Sequence, residues 1–180
     1  MRSEIKESFL ITEEDYIDMC LSRQKYMIPK ENKIILAVMG IIAILCGTAA
    51  FINIRGNVYQ IICWFLLIGI GLYVLSYYEV INPLITKDHA VKFFRYNQKL
   101  INSKTFTINS ETFSMTDQMH CIKIPIRYID KIVESKTTLL IFTGKEEFTF
   151  VPKRALSKEQ INIIRSMIAE EKYVRLPKEV

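Results

Sequence analysis

Catalysis and metal binding need histidines, cysteines, paired carboxylates or glycine-rich loops at particular spacings. This chain of 180 residues holds two histidines and four cysteines. His89 stands alone, and His120-Cys121 is an isolated dyad with no CxxC and no second histidine at ligand spacing. Glu146-Glu147 falls at the tip of a strand pair, where a solvated turn accounts for it. Gly69-Ile70-Gly71 lies inside a long apolar run, so it is no phosphate loop. There is no GxSxG, no P-loop and no paired acidic motif. The expectation is a protein that is not an enzyme, with no catalytic residue, no cofactor and no metal.

What remains with chemical character is charge. The formal net charge is +5 and the isoelectric point about 9.0. The basic residues are spread along the chain with acidic residues between them, which argues against nucleic acid. The tightest basic cluster beside a strand end is Pro152-Lys153-Arg154. One reading is a helix-entry turn whose charges are solvated and whose removal hardly changes folding. The sharper reading is a contact with anionic headgroups, each charge contributing roughly 1 kcal/mol, or with a protein. Lys153 and Arg154 are thus the candidate interaction residues.

These groups need elements to carry them. Half of the residues, 50%, are hydrophobic and mean hydropathy is +0.17, yet 24% are charged, so the apolar residues are concentrated somewhere. They fill two uncharged runs, Ile34 to Ile54 and Val58 to Tyr78. Each has the roughly 20 residues that a helix needs to cross a ~30 Å hydrocarbon core. The first run begins too late and runs too long to be the apolar part of a cleaved leader. Only Arg55-Gly56-Asn57 separates the runs, so they form a tight hairpin with both ends on one side. Residues 1–33 carry six Lys or Arg, residues 79–104 carry five, and the loop only Arg55. That bias puts both termini in the cytoplasm. Tyr59 and Trp64 then mark the outer interface, and Tyr73, Tyr77 and Tyr78 the inner one. Asn53 and Gln60 lie near the outer interface and do not argue for a pore. Cys20 and Cys121 face a reducing compartment, Cys46 and Cys63 lie in the bilayer, and all four are expected as free thiols. Small residues at Ala37, Gly40, Ala43, Gly47 and Ala50 make a stripe that Gly69 and Gly71 of the second span could receive. Packing within the hairpin is the first reading of that stripe and homo-oligomerisation the second.

Outside the hairpin, Ile5, Phe9 and Ile11 suggest a short strand. Thr12-Glu13-Glu14-Asp15 is a capping box that opens a helix from Glu13 to about Met27, ended by Pro29. After Pro83 an amphipathic helix runs to about Ile101. From Lys104 the period falls to two. Pairs at Phe106 and Ile108, then Phe113 and Met115, give two strands, and Ile122 to Ile126 a third. Tyr128 to Val133, Leu139 to Ile141, and Phe148 to Phe150 give three more. Ser157 to Gln160 caps a final helix with Ile161, Ile164 and Ile168 inward, to about Glu171, and the tail from Val174 is expected to be loose. The expected fold is a membrane α-helical hairpin plus an α+β cytoplasmic domain. That domain is a pleckstrin-homology-like (PH-like) bent antiparallel sheet or barrel closed by the C-terminal helix. The expected segments are 1–33 (strand and helix), 34–78 (hairpin), 79–103 (connecting helix), 104–173 (sheet domain) and 174–180 (tail).

The pattern resembles the YcxB-like family of small bacterial membrane proteins. The resemblance rests on the hairpin, on the polar strand Ile122 to Ile126, and on Ile129-Asp130-Lys131-Ile132-Val133-Glu134. It continues through Leu139-Leu140-Ile141-Phe142 and Phe150-Val151-Pro152-Lys153-Arg154-Ala155-Leu156 to the closing helix. Tyr128 stands where many members of that family have Trp. The resemblance implies architecture and a bacterial cell membrane, and no particular activity. The functional expectation is a membrane-anchored cytoplasmic interaction module that binds a protein or an inner-leaflet anionic lipid. The alternative is an accessory subunit of a membrane assembly that works through its hairpin.

Overall fold

A computed structural model describes residues 4–52, 58–97, 103–117, 120–144 and 147–177, with the side chains of residues 50–52 and 60 also left undescribed. The reversal at Arg55-Gly56-Asn57, Asn53, the side chains of Ala50 and Gln60, the expected helix end at Ile101, Glu146 and residues 178–180 lie outside the described residues. The chain divides into two compact units, one of residues 1–26 with 87–180 and one of residues 27–86.

The first unit opens with strand β1 (Ile5–Phe9) and helix α1 (Glu13–Met27). The capping box at its entry is formed on both sides. The Asp15 N–H donates to Thr12 Oγ1 at 3.1 Å, and the Thr12 N–H donates to Asp15 Oδ2 at 2.9 Å. After the hairpin come α4 (Asn82–Tyr96), β2 (Lys104–Ile108), β3 (Thr112–Thr116) and β4 (Cys121–Pro125). A 3₁₀ turn (Ile126–Tyr128) leads to β5 (Lys131–Glu134), β6 (Thr138–Phe142) and β7 (Phe148–Pro152). A second 3₁₀ turn (Lys153–Ala155) enters α5 (Lys158–Met167), whose N-cap Ser157 forms a capping box with Gln160. β8 (Tyr173–Arg175) is the last described element.

The strands form two four-stranded sheets, ordered β1-β2-β3-β4 and β7-β6-β5-β8, and not a closed barrel. The break falls where Pro125 ends β4 and the 3₁₀ turn follows, so Ile126 and Tyr128, expected in strands, lie in that turn. β1 pairs antiparallel with β2, Ile5 opposite Ile108 and Phe9 opposite Lys104, so residues on either side of the hairpin share one sheet. The first sheet alternates as a half-buried sheet should: Phe106, Ile108 and Phe113 have no exposed surface while their strand neighbours are partly open. β6 does not alternate and is buried at every residue. Helix α1 explains this, because the Tyr26 ring packs tilted against Phe142 (5.2 Å), Arg23 lies over the Phe148 ring (4.7 Å) and Ser22 accepts from Thr138. α5 adds Ile161 and Ile164, and Ile168 just after it, to the same core.

The expected loose tail is instead a strand over Tyr173–Arg175, parallel to β5 with Ile132 opposite Tyr173 and Val133 opposite Val174. Parallel pairing needs a long crossover, and the chain from β6 through α5 supplies it. Three residues are too few for a periodic signal, which hid this strand in the sequence.

The second unit is a pair of helices, α2 (Lys30–Ile52) and α3 (Val58–Ser76). Both belong to helices long and apolar enough to cross a membrane. Large apolar side chains such as Ile34, Leu45, Phe65 and Leu66 point outward. Lys33 Nζ pairs with Glu79 at 3.4 Å where the pair begins and ends. α3 does not stop before Pro83. A π turn (Tyr77–Ile81) carries it into α4, with the Asn82 N–H donating to Tyr77 O. Pro83 has no N–H to give and its ring crowds the carbonyl one turn back, and the wider turn just before it makes room.

Candidate functional site

Lys153 and Arg154 follow β7 directly because Pro152 ends the strand and the 3₁₀ turn swings the chain toward α5. Both are held by carboxylates of the same unit. Arg154 grips Asp15 through Nη2 at 2.6 Å and Nε at 3.0 Å, and donates to the Leu10 carbonyl at 2.6 Å. Burial pushes the Asp15 carboxyl up, but the bonds from Arg154 and Thr12 outweigh it and hold it below its ordinary value. This clamp ties the start of α1 to the turn before α5, across 139 residues of sequence. Arg154 is half exposed and its charge is spent on a buried acid, so the turn is more than a solvated pair of cations.

Lys153 leads to the centre of the site. Its Nζ donates to Glu134 Oε1 at 2.7 Å and to the Ser135 carbonyl at 3.0 Å. Glu134 ends β5 and only 8% of its side chain is exposed. Arg165 of α5 reaches it from the other side, with Nη2 at 2.7 Å from both carboxylate oxygens and Nε at 3.1 Å. The Tyr173 hydroxyl of β8 donates to Oε2 at 2.8 Å, and Arg175 Nε stands 3.7 Å away. One carboxylate thus gathers β5, the turn after β7, α5 and β8. Burial pushes its pKa up, while the bonds from Lys153, Arg165 and Tyr173 pull it down further, to about 2. Burial raises the Tyr173 phenol to about 12. The sequence showed Glu134 only as the last residue of an apolar strand. Its partners lie 19, 31 and 39 residues away, so no local spacing could reveal them.

Two clefts flank this cluster. One, of about 360 Å³, lies between α1 and the β5–β6 turn, lined by Asp18, Ser22, Lys25, Ser135 and Lys136 among others. The second, shallow and of about 730 Å³, is lined by Asn162, Arg165, Ser166, Ile168, Glu170, Tyr173 and Arg175. Among the described residues no group of three or more His, Cys, Asp or Glu is arranged to hold a metal ion.

In the hairpin the glycines divide. A Cβ on Gly71 would lie 2.6 Å from Ile44 Cγ1 and 2.8 Å from the Gly40 carbonyl. One on Gly40 would meet Leu75 at 2.8 Å, and one on Gly47 would meet Ile68 at 3.0 Å. Ala43 on the same stripe is half-buried. Gly69 has nothing within 4 Å of its Cβ position. Positions two apart on a helix point about 200° around from one another, so Gly69 and Gly71 do not face the same neighbour.

Residues 122–168 match the family described as YcxB-like protein. No curated protein and no solved structure matches the chain. The matched stretch runs from β4 through α5 and contains Glu134, Lys153, Arg154 and Arg165, but neither β1 nor β8. The chain therefore carries, over residues 122–168, a YcxB-like domain.

Proposed function

We propose that the chain is a membrane-anchored interaction module of a bacterial cell membrane, with α2 and α3 as its two spans and the sheet domain in the cytoplasm. The observation that carries this reading is the insertion of two long helices, apolar on their outward faces, between the paired strands β1 and β2. An apolar face of that extent is stable in hydrocarbon and a liability in water. The β1–β2 pairing adds an argument independent of charge. Residues 5–9 and 104–108 share a sheet, so the chain between them crosses a bilayer an even number of times. The Lys and Arg bias then assigns that shared side to the cytoplasm. The sheets with α5 are read as a PH-like arrangement whose first strand, β1, precedes the hairpin. Such a domain offers a cleft or a sheet edge to a partner. Gly40, Gly47 and Gly71 are occupied inside the hairpin, which favours internal packing of the stripe over homo-oligomerisation through it.

Excision of residues 27–86 tests the reading. Glu13 pairs with Arg95 at 3.0 Å and Tyr16 stacks on Phe93 at 5.7 Å, so α1 and α4 touch through their side chains and a flexible linker can rejoin residues 26 and 87. The full chain should resist alkaline carbonate extraction from membranes, and the excised chain should be soluble with its strand content intact. Release of the full chain by carbonate would overturn the reading.

A further inference from the structure

The charges around Glu134 do not balance. Three cations, Lys153, Arg165 and Arg175, lie within 4 Å of its carboxylate. Lys153, Arg165 and Tyr173 already give it five hydrogen bonds, and a carboxylate has about four lone-pair directions. Arg175, at 3.7 Å, is within ion-pair range but beyond a hydrogen bond. Its side chain is 65% exposed, and its N–H groups have no acceptor among the described residues. The carboxylate that attracts Arg175 has no lone pair left for it, so among the described residues the guanidinium is held nearby with its donors unspent.

The cleft that Arg175 lines holds a further side-chain donor. Arg165 Nη1 donates to Asn162 Oδ1 at 2.9 Å, which turns the Asn162 amide nitrogen away from Arg165. Asn162, Arg165 and Arg175 line the same open cleft, with Ile168 and the Tyr173 ring as its apolar part and Glu170 as its one carboxylate. A planar guanidinium fork in a cleft that also holds a side-chain amide suits a tetrahedral or planar oxyanion that accepts two bonds at once. We infer that this cleft binds a phosphate-type oxyanion, with Arg175 as the principal donor, Asn162 as the second, and Arg165 supplying charge while it stays locked to Glu134. The inference stands on the sheet domain alone and does not require that the hairpin cross a membrane. The ligand chemistry has two sources, a soluble phosphate compound and a phospholipid headgroup, and the test separates them.

The probe is inorganic phosphate, titrated against chloride at constant ionic strength into the full chain in neutral detergent micelles. Thermal unfolding of the sheet domain is followed by circular dichroism. A ligand that binds the folded state raises the midpoint with the logarithm of its concentration above its dissociation constant. The parent should show that saturable rise. Arg175→Gln, which removes an exposed group and no hydrogen bond, should fold normally and bind phosphate about tenfold more weakly. Lys136→Gln, with the same charge change at the other cleft, should behave as the parent. The titration is then repeated in phosphatidylcholine nanodiscs with and without phosphatidylglycerol. Loss of the parent's phosphate response when phosphatidylglycerol is present assigns the site to headgroups, and its persistence assigns it to a soluble ligand. Absence of a saturable response in the parent, or equal responses in parent and Arg175→Gln, would overturn the inference.

Discussion

Glu134→Gln should destabilise the sheet domain by about 3 kcal/mol at neutral pH. Removing one partner of a buried ion pair costs roughly 3–5 kcal/mol, because the remaining charge stays desolvated. The low end applies here, since the side chains of Lys153 and Arg165 keep 21% and 30% of their exposure and water relieves part of the cost. The pH dependence follows from the depressed pKa. The ordinary value of 4.5 falls to about 2 in the folded domain, so the stabilisation is fully present above 4.5. It is lost as pH drops from about 4.5 toward 2, where the unfolded chain binds the proton first. Denaturant unfolding at several pH values should therefore show parent and variant converging across that window. A gap that stays constant down to pH 2 would contradict the role given to the charge.

The hairpin gives the second large effect. Gly71→Leu should force α2 and α3 apart, since even its Cβ would collide with Ile44 Cγ1 and the backbone carbonyl of Gly40. A carbonyl cannot rotate away as a side-chain end can, so the cost should exceed the usual 1–3 kcal/mol of overpacking. Gly69→Leu, two residues earlier and open to its surroundings, is the matched control. Engineered disulfide trapping between the two helices should fail in the first variant and persist in the second. Equal trapping would mean that the close contact at Gly71 does not hold the pair together.

The sequence was legible wherever a property repeats along the chain. The apolar runs, the capping boxes at Thr12 and Ser157, and the alternation of Phe106 with Ile108 and Phe113 with Met115 all report local burial or local hydrogen bonding. It was misleading where geometry depends on distant partners. β8 was hidden because three residues carry no period, and its place is set by β5. The 3₁₀ turn at Ile126–Tyr128 kept apolar residues that read as strand, although Pro125 before it marked the break. Pro83 read as a helix boundary, and the π turn before it absorbed the proline instead. The site was the least legible part. Lys153 and Arg154 stood out as a basic cluster, yet their meaning lies in Glu134 and Asp15. Arg165 and Arg175 gave no signal of their own, since arginine is mostly exposed and a single one on a helix or in a tail reads as ordinary surface.

If residues 27–86 carry a hairpin across a membrane, they return the chain to the side on which it began. Cysteine accessibility tests this directly. The native Cys20, Cys46, Cys63 and Cys121 are first replaced, and a single cysteine is then introduced as Asn57→Cys or as Lys136→Cys. On intact cells an impermeant thiol reagent should label the Asn57→Cys chain, and it should label the Lys136→Cys chain only after permeabilisation. Labelling of the Lys136→Cys chain on intact cells, or protection of the Asn57→Cys chain until permeabilisation, would contradict it.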